Sequence, residues 1–165
     1  MKKLITIFFL LLISPLSFAS HNQINPDNEN IECKVVGISD GDTFSCLTAQ
    51  KRLLKIRLSS IDAPEKSQSF GQKSKQKLSD LIFGKQVIVS IESKDKYERY
   101  IAEVFKPHDN YSVNYQMVFQ GLAWSYDRYL KDNAYKEAEI LAKTNKIGLW
   151  SELNPINPEQ YRHLK

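Results

Sequence analysis

Two short β-rich runs joined by an Asp-Gly-Asp turn constrain the fold of this chain more than any other feature. Residues 33–39 and 43–47 are rich in residue types that favour strands, and Asp40-Gly41-Asp42 separates them. An Asp-Gly pair in this position is a strong hairpin signal, because it tolerates the positive φ angles of tight turns. The sequence therefore predicts a sheet-based fold that starts with a β-hairpin.

The remaining elements alternate between strand and helix patterns. Further β-rich segments occupy residues 51–60, 86–91 and 99–105. Apolar residues recur with helical spacing over about 70–83, 112–120 and 133–145. Five short strands around one core favour a small closed or partly open barrel, since closure removes exposed strand edges. We expect a mainly β fold of the α+β class, with three helices.

The first 19 residues have the features of an export signal. Lys2 and Lys3 precede an apolar run over 4–13, and Ser17-Phe18-Ala19 supplies small residues for cleavage after Ala19. The alternative is an uncleaved membrane anchor, but the run is short for a span of about 20 residues. We expect a periplasmic or secreted protein, free of the membrane after cleavage.

The rest of the chain divides into three parts. Residues 20–31 are polar and predict a flexible leader, 32–153 a single domain, and 154–165 a polar tail. Of the 23 Lys and Arg, two lie in the signal, so 21 remain against 19 Asp and Glu; this near balance means that bulk charge alone does not indicate a nucleic-acid partner. The dense lysines in 66–77 could form a local positive patch, but they are equally compatible with the solvated face of a helix. We expect a monomer.

The chain contains two cysteines, Cys33 and Cys46, on the two sides of the predicted hairpin. An exported protein enters an oxidising compartment, where pairing is favoured. As near-diagonal neighbours on adjacent strands, the two residues are suited to a disulfide. The alternative is a pair of buried free thiols.

Four carboxylates lie at a turn and at a strand exit, where side chains reach the rim of a sheet. They are Asp40, Asp42, Asp62 and Glu65. Hard divalent cations prefer oxygen ligands, and two carboxylates with a backbone carbonyl and waters suit Ca²⁺. An Asp in a turn often only caps its own backbone, an alternative that applies most to Asp40.

Two arginines accompany these carboxylates. Arg57 precedes Asp62 by five residues, and Arg99 opens the last predicted strand. Each could be a simple ion-pair partner. Together they could hold a phosphate with planar bidentate donors and, with a metal ion, stabilise the charge of a phosphodiester transition state. Glu65 is then placed to orient or deprotonate the attacking water.

These residues fall within motifs that resemble, in order, those of the staphylococcal nuclease (thermonuclease) family. The motifs span roughly residues 34–152 and read Asp40-Gly-Asp-Thr43, Arg57-Leu-Ser-Ser-Ile-Asp62-Ala-Pro-Glu65, Asp95-Lys-Tyr-Glu-Arg99, Gln120-Gly-Leu-Ala123 and Leu149-Trp-Ser-Glu152. Each motif alone is weak, but five in order are specific.

The resemblance implies an OB-fold barrel of five strands with three helices, and Ca²⁺-dependent hydrolysis of the 5′ P–O bond in DNA or RNA to leave 3′-phosphate ends. It implies Ca²⁺ ligands at Asp42, Asp62 and the backbone carbonyl of Ala63, with Asp40 as a further candidate. The implied catalytic residues are Arg57, Glu65 and Arg99, and the implied substrate-binding tyrosines are Tyr97 and Tyr129.

The chain departs from the family pattern at several positions. Ala63 replaces a Thr, which matters little because the main chain supplies the ligand there. Glu98 stands where a Gly commonly precedes the second arginine, adding negative charge beside Arg99. The lysine-rich flap after Glu65 is missing. Of two base-stacking tyrosines, one is matched by Tyr129 and the other by Asp127, for which Tyr126 could substitute after a one-residue shift.

Two other functions compete with an exported nuclease. A non-catalytic nucleic-acid-binding module on the same barrel would not need Arg57, Glu65 and Arg99 together with two metal carboxylates. An exported structural or adhesion domain stabilised by Ca²⁺ would leave both arginines unexplained. The nuclease hypothesis accounts for all of these residues.

Overall fold

A closed barrel of five strands forms the centre of the protein. The computed structural model describes residues 28–126 and 132–164. The described residues contain seven strands, five in the barrel and two in a separate small sheet. They are β1 (Glu29–Ile38), β2 (Thr43–Thr48), β3 (Leu53–Leu58), β4 (Ile61–Asp62), β5 (Gln86–Lys94), β6 (Tyr100–Phe105) and β7 (Trp124–Ser125). The barrel order is β1-β2-β3-β6-β5, with β3 and β6 parallel, and β4 pairs with β7 separately. The predicted α+β barrel is confirmed.

Helices cover the barrel and reach the described end of the chain. They are α1 (Gly71–Ile82), α2 (Val113–Phe119), α3 (Asn133–Thr144) and α4 (Pro158–His163), with a short 3₁₀ helix at Gly148–Ser151. The first three were predicted within one residue at each end, and side chains of Ser112 and Asp132 cap α2 and α3. Helix α4 lies in the segment expected to be a polar tail. None of the described helices combines the length and apolar character needed to cross a bilayer.

Three strands differ from the prediction by more than one residue, among them β5, which continues to Lys94 rather than ending at residue 91. Strand β1 begins at Glu29 and pairs with β5 from the Glu29–Ile91 position onward, so part of the predicted leader belongs to the barrel. Its first residues are largely exposed, which is why side-chain pattern did not reveal them. The predicted strand over 51–60 divides because Ser60 adopts a left-handed backbone with φ of 61°, and the chain turns into β4.

The core fills the barrel and the space beneath the helices. Its largest fully buried side chains include Phe44, Ile56 and Leu58 from β2 and β3, and Leu78 and Met117 from α1 and α2. Burial of such side chains is the main stabilising contribution in a domain of this size. This core fixes the position of the end of β3, near which several of the site residues lie.

The predicted disulfide is present. Cys33 and Cys46 are bonded, with their Cα atoms 5.6 Å apart, and both are buried. They are diagonal neighbours, since Cys46 pairs with Val35 and Cys33 with Thr48. The bond therefore joins the two strands that carry the Asp-Gly-Asp turn.

Candidate active site

The β1–β2 turn holds Asp42 in a buried, fully engaged position. The Asp42 side chain accepts hydrogen bonds from the Thr43 hydroxyl at 2.9 Å and from the Ala63 backbone N–H at 3.0 Å. Its backbone carbonyl accepts the Leu58 N–H at 2.8 Å. These bonds connect the turn to the end of β3 and to the segment after β4. The turn itself was predicted from sequence.

Gly41 is required in this turn for a reason that differs from the predicted one. Its φ is not positive. A Cβ there would lie 2.8 Å from the Cβ atoms of both Ala63 and Ser74, and closer still to the Ser74 hydroxyl. The turn therefore packs directly against α1, and glycine is needed for close approach.

Strand β4 brings Asp62 beside Asp42. After the left-handed turn at Ser60, β4 pairs with β7 through the Asp62–Trp124 and Ile61–Ser125 positions, and the Tyr126 N–H donates to the Ser60 carbonyl at 2.9 Å. Asp62 is only 1% exposed. A carboxylate this buried has to be compensated by charged or hydrogen-bonding partners.

Arg57 lies between these two aspartates. One guanidinium nitrogen, Nη1, donates to the carbonyls of Leu58 and Ile61 at 3.0 and 3.1 Å. The other, Nη2, lies 3.0 Å from Asp62 Oδ1 and 3.4 Å from Asp42 Oδ2. The backbone contacts hold the guanidinium rigidly at the rim of the barrel, so the ion-pair role that the sequence left open is present in this structure.

Glu65 lies on the loop between β4 and α1. Its backbone N–H donates to Gln68 Oε1 at 3.1 Å, and its carbonyl packs so closely on Gly71 that a Cβ there would overlap it. Its carboxylate accepts a hydrogen bond from Arg162 of α4 at 2.8 Å. The loop is therefore held by contacts of the Glu65 backbone and by contact of its side chain with Arg162.

Arg162 is the site residue that sequence reasoning missed. Its guanidinium spans Asp62, with Nη2 2.9 Å from Oδ2 and Nη1 3.2 Å from Oδ1. The segment was expected to be a tail, but Asn157-Pro158-Glu159 carries a helix-start signal: Asn as N-cap, Pro at the first helical position and an acid in the first turn. That signal predicts α4, although not its contact with the site.

Arg99 is oriented by Asp95. The Arg99 Nε donates to Asp95 Oδ2 at 2.8 Å, while Asp95 Oδ1 accepts the backbone N–H groups of Tyr97 and Arg99 at 2.8 and 3.0 Å. These bonds lower the pKa of Asp95 despite the opposing effect of burial. One edge of the Arg99 guanidinium is thus held by an ionised carboxylate.

The negative charge that Glu98 adds beside Arg99 has a partner in the structure. Its carboxylate forms an ion pair with Lys94 and is largely exposed. Its backbone has a φ of 63°, in the left-handed region that favours glycine. The conformation of this turn explains why glycine suits the position, and the added charge is paired with a lysine.

The tyrosines differ in their positions. Tyr97 is 65% exposed and its ring lies 5.5 Å from the Arg99 guanidinium. Tyr126 contributes to the wall of the same cleft. Tyr129 and Asp127 lie outside the described residues, so the role predicted for Tyr129 stays a prediction.

An open cleft of about 1090 Å³ brings the predicted residues together. Asp40, Asp42, Arg57, Asp62, Ala63, Glu65, Tyr97 and Arg99 all line it, as does Arg162. These residues come from separate parts of the chain: the first hairpin, the strand after it, the loop before α1 and the turn before β6. The barrel rim is the element that collects them.

Burial and neighbouring charges alter the acidity of two aspartates in the cleft. Burial, with repulsion from Asp42, raises the pKa of Asp40 to about 6. Burial also raises the pKa of Asp62, against hydrogen bonding from Arg162. Within 28–126 and 132–164, no three Asp, Glu, His or Cys side chains are grouped to hold a metal. Asp42 and Asp62 fit a divalent ion that main-chain oxygen and water would complete.

Comparisons with known proteins identify the family of the chain. The family model described as staphylococcal nuclease homologue matches residues 55–152. A Haemophilus influenzae protein named "Uncharacterized endonuclease" is 45% identical over 161 residues, which is 98% of this chain and 85% of the relative. A Shigella flexneri "Micrococcal nuclease" is 36% identical over 138 residues, covering 78% of this chain and 79% of the relative.

The barrel, its carboxylate and arginine cleft and the family match define a nuclease, a phosphodiester hydrolase whose substrate is nucleic acid. Nucleases of this type depend on a metal ion. The chain belongs to the staphylococcal nuclease family.

Proposed function

We propose that this protein is an exported, Ca²⁺-dependent endonuclease that cleaves the 5′ P–O bond of DNA and RNA and leaves 3′-phosphate ends. The observation that carries the proposal is the meeting of Asp42, Asp62, Arg57, Glu65 and Arg99 in one cleft. Three carboxylates and two arginines in one open cleft provide both a cation site and a phosphate site.

The metal role falls to Asp42 and Asp62, with the backbone carbonyl of Ala63 as a third donor. Asp40 is a further candidate, although its Oδ1 accepts the Asp42 N–H at 3.0 Å and so also supports the turn. A bound Ca²⁺ would supply positive charge next to the scissile phosphate. Burial raises the pKa of Asp40 and Asp62, and repulsion from Asp42 adds to this effect; a bound cation would offset that repulsion.

Arg57 and Arg99 are proposed to bind the phosphate oxygens. Arg57 is fixed by two backbone carbonyls, so its position needs little reorganisation during the reaction. Arg99 donates to Asp95 through Nε and lines the cleft, and its two terminal nitrogens are proposed to bind a phosphate there. Tyr97, exposed beside Arg99, is positioned to contact a terminal phosphate.

Glu65 is proposed as the general base. It takes a proton from water as the water oxygen bonds to phosphorus. The P–O5′ bond breaks, the leaving 5′ oxygen takes up a proton from solvent to become a hydroxyl, and the phosphate stays on the 3′ side. Glu65 then returns its proton to solvent. General-base catalysis of this kind contributes about 10²–10⁴ in rate. Glu65 lies on an ordered loop adjacent to Asp62, which places it next to the proposed cation site.

Export is proposed from the sequence over 1–19, and the Cys33–Cys46 disulfide is consistent with an oxidising compartment. The final location would be the periplasm or the medium, and the protein would act as a monomer. Cell fractionation with N-terminal sequencing tests this part. A cytoplasmic protein that retains residues 1–19 would contradict it.

Incubation of the purified protein with plasmid DNA, single-stranded DNA and RNA tests the activity. We expect internal cleavage of all three with Ca²⁺, none with chelator, and products that accept a 5′ label without prior phosphatase treatment. Products with 5′-phosphate ends would refute the proposed bond. Cleavage that continues in chelator would refute the metal role.

A further inference from the structure

The C-terminal helix α4 places a guanidinium directly on the proposed metal ligands. Arg162 contacts both oxygens of Asp62, at 2.9 and 3.2 Å, and Glu65 Oε1 at 2.8 Å. Asp62 Oδ1 also accepts a hydrogen bond from Arg57 at 3.0 Å. Both oxygens of the buried Asp62 carboxylate are therefore engaged by arginines.

Contacts of residues that precede Arg162 hold the C-terminal segment against the loop that carries Glu65. The Tyr161 hydroxyl donates to the Ser67 carbonyl at 3.1 Å, and Gln68 Nε2 donates to the Ile156 carbonyl at 2.6 Å. The Asn157 side chain caps the helix by accepting the Glu159 N–H at 2.8 Å. Arg162 thus reaches the site from an anchored helix.

A divalent cation and the Arg162 guanidinium compete for the carboxylate of Asp62. A cation at Asp62 needs an oxygen lone pair, and a positive charge about 3 Å from that carboxylate repels it. The side chain of Arg162 is 41% exposed, so it can move into solvent without disturbing the core, whereas Arg57 is held by backbone carbonyls.

We propose that Arg162 is a built-in counter-cation, which neutralises Asp62 and Glu65 in the metal-free protein and is displaced when Ca²⁺ binds. The proposal rests on the metal role of Asp62 in the proposed function. It makes Arg162 a competitor of the metal, and it couples Ca²⁺ binding to release of the Arg162 side chain from the loop.

Calorimetric titration of the full chain with CaCl₂ alone tests the competition without reference to catalysis. Replacement of Arg162 by Gln removes the competing charge and should lower the dissociation constant for Ca²⁺ about tenfold, which corresponds to about 1.4 kcal/mol. Arg162→Lys keeps a charge but loses the bidentate geometry, so its affinity should fall between the two. Arg52→Gln removes the same charge from an exposed residue outside the cleft and should leave the affinity unchanged.

Amide hydrogen exchange of residues 157–164 provides a second readout. In wild type, Ca²⁺ should speed exchange in this segment, because it removes the Arg162 contacts. In Arg162→Gln the segment should exchange faster already without Ca²⁺, with little further change on addition.

The outcomes separate this proposal from the proposed function. Equal Ca²⁺ affinity in wild type and Arg162→Gln, or weaker binding in the variant, overturns the counter-cation role while leaving the metal site intact. Absence of Ca²⁺ binding in both proteins overturns the metal site itself, and the counter-cation with it. Binding that appears only in Arg162→Gln supports strong competition.

Discussion

Asp95 should control the activity through Arg99, although it does not reach the substrate in the proposed mechanism. Asp95→Asn keeps a carbonyl oxygen for the backbone N–H groups of Tyr97 and Arg99, which lie 2.8 and 3.0 Å from Oδ1. It removes the charged partner of Arg99 Nε at 2.8 Å. The variant therefore loosens the guanidinium while preserving the turn.

The magnitude follows from the contacts that are lost. Removal of one donor aimed at a developing transition-state charge costs about 10²–10³ in kcat. Asp95 only positions such a donor, so we expect a smaller loss of about tenfold, or about 1.4 kcal/mol. Asp95→Ala loses the turn contacts as well, and at about 1 kcal/mol for each hydrogen bond it should also lower the free energy of unfolding by about 1–2 kcal/mol.

Steady-state cleavage of a fluorogenic oligonucleotide at saturating Ca²⁺ gives kcat and KM for wild type and both variants, and urea denaturation gives their stability. We expect kcat to fall with KM little changed in Asp95→Asn, at nearly wild-type stability. A wild-type kcat in Asp95→Asn would refute the positioning role. A loss that follows stability alone would reduce Asp95 to a structural residue.

Three further perturbations test other parts of the structure. Gly41→Ala should lower the free energy of unfolding by about 2 kcal/mol in urea denaturation, because its Cβ would overlap α1; Gly37→Ala, whose Cβ meets its nearest neighbour at 4.0 Å, is the matched control, and equal losses would contradict this explanation. The free energy of unfolding of Glu98→Gly should exceed that of Glu98→Ala by about 1 kcal/mol in the same assay, because both variants lose the Lys94 pair and only glycine relieves the positive φ. An equal or lower value for Glu98→Gly would argue against backbone strain. Replacement of both cysteines of the Cys33–Cys46 disulfide by Ala should cost about 3 kcal/mol, as expected for a separation of 13 residues, and wild type in reductant should lose a similar amount; an unchanged midpoint would contradict it.

The barrel could be predicted because its signals are local. The Asp-Gly-Asp turn, the β-rich segments and the helical spacing each lie within a few neighbouring residues, and the first three helices agree with them within one residue. The motif order then identified the residues that line the cleft. Their convergence at one rim follows from the barrel topology, in which β3 lies between β2 and β6.

Other features depend on contacts that are distant in sequence. Arg162 meets Asp62 across 100 residues, and no local pattern at either position encodes the pairing. The need for glycine at position 41 arises from Ser74 of α1, which is invisible in the turn itself. The start of β1 at Glu29 is set by backbone pairing with β5, to which its exposed side chains contribute no apolar pattern.

The most direct test of the central claim is the Ca²⁺-dependent cleavage rate of Glu65→Gln compared with wild type. The substitution keeps the size of the side chain and removes the base, so kcat at saturating Ca²⁺ should fall by at least about 10² while the melting temperature stays close to that of wild type. Near-wild-type cleavage by Glu65→Gln would contradict the account, since the base would then lie elsewhere in the cleft.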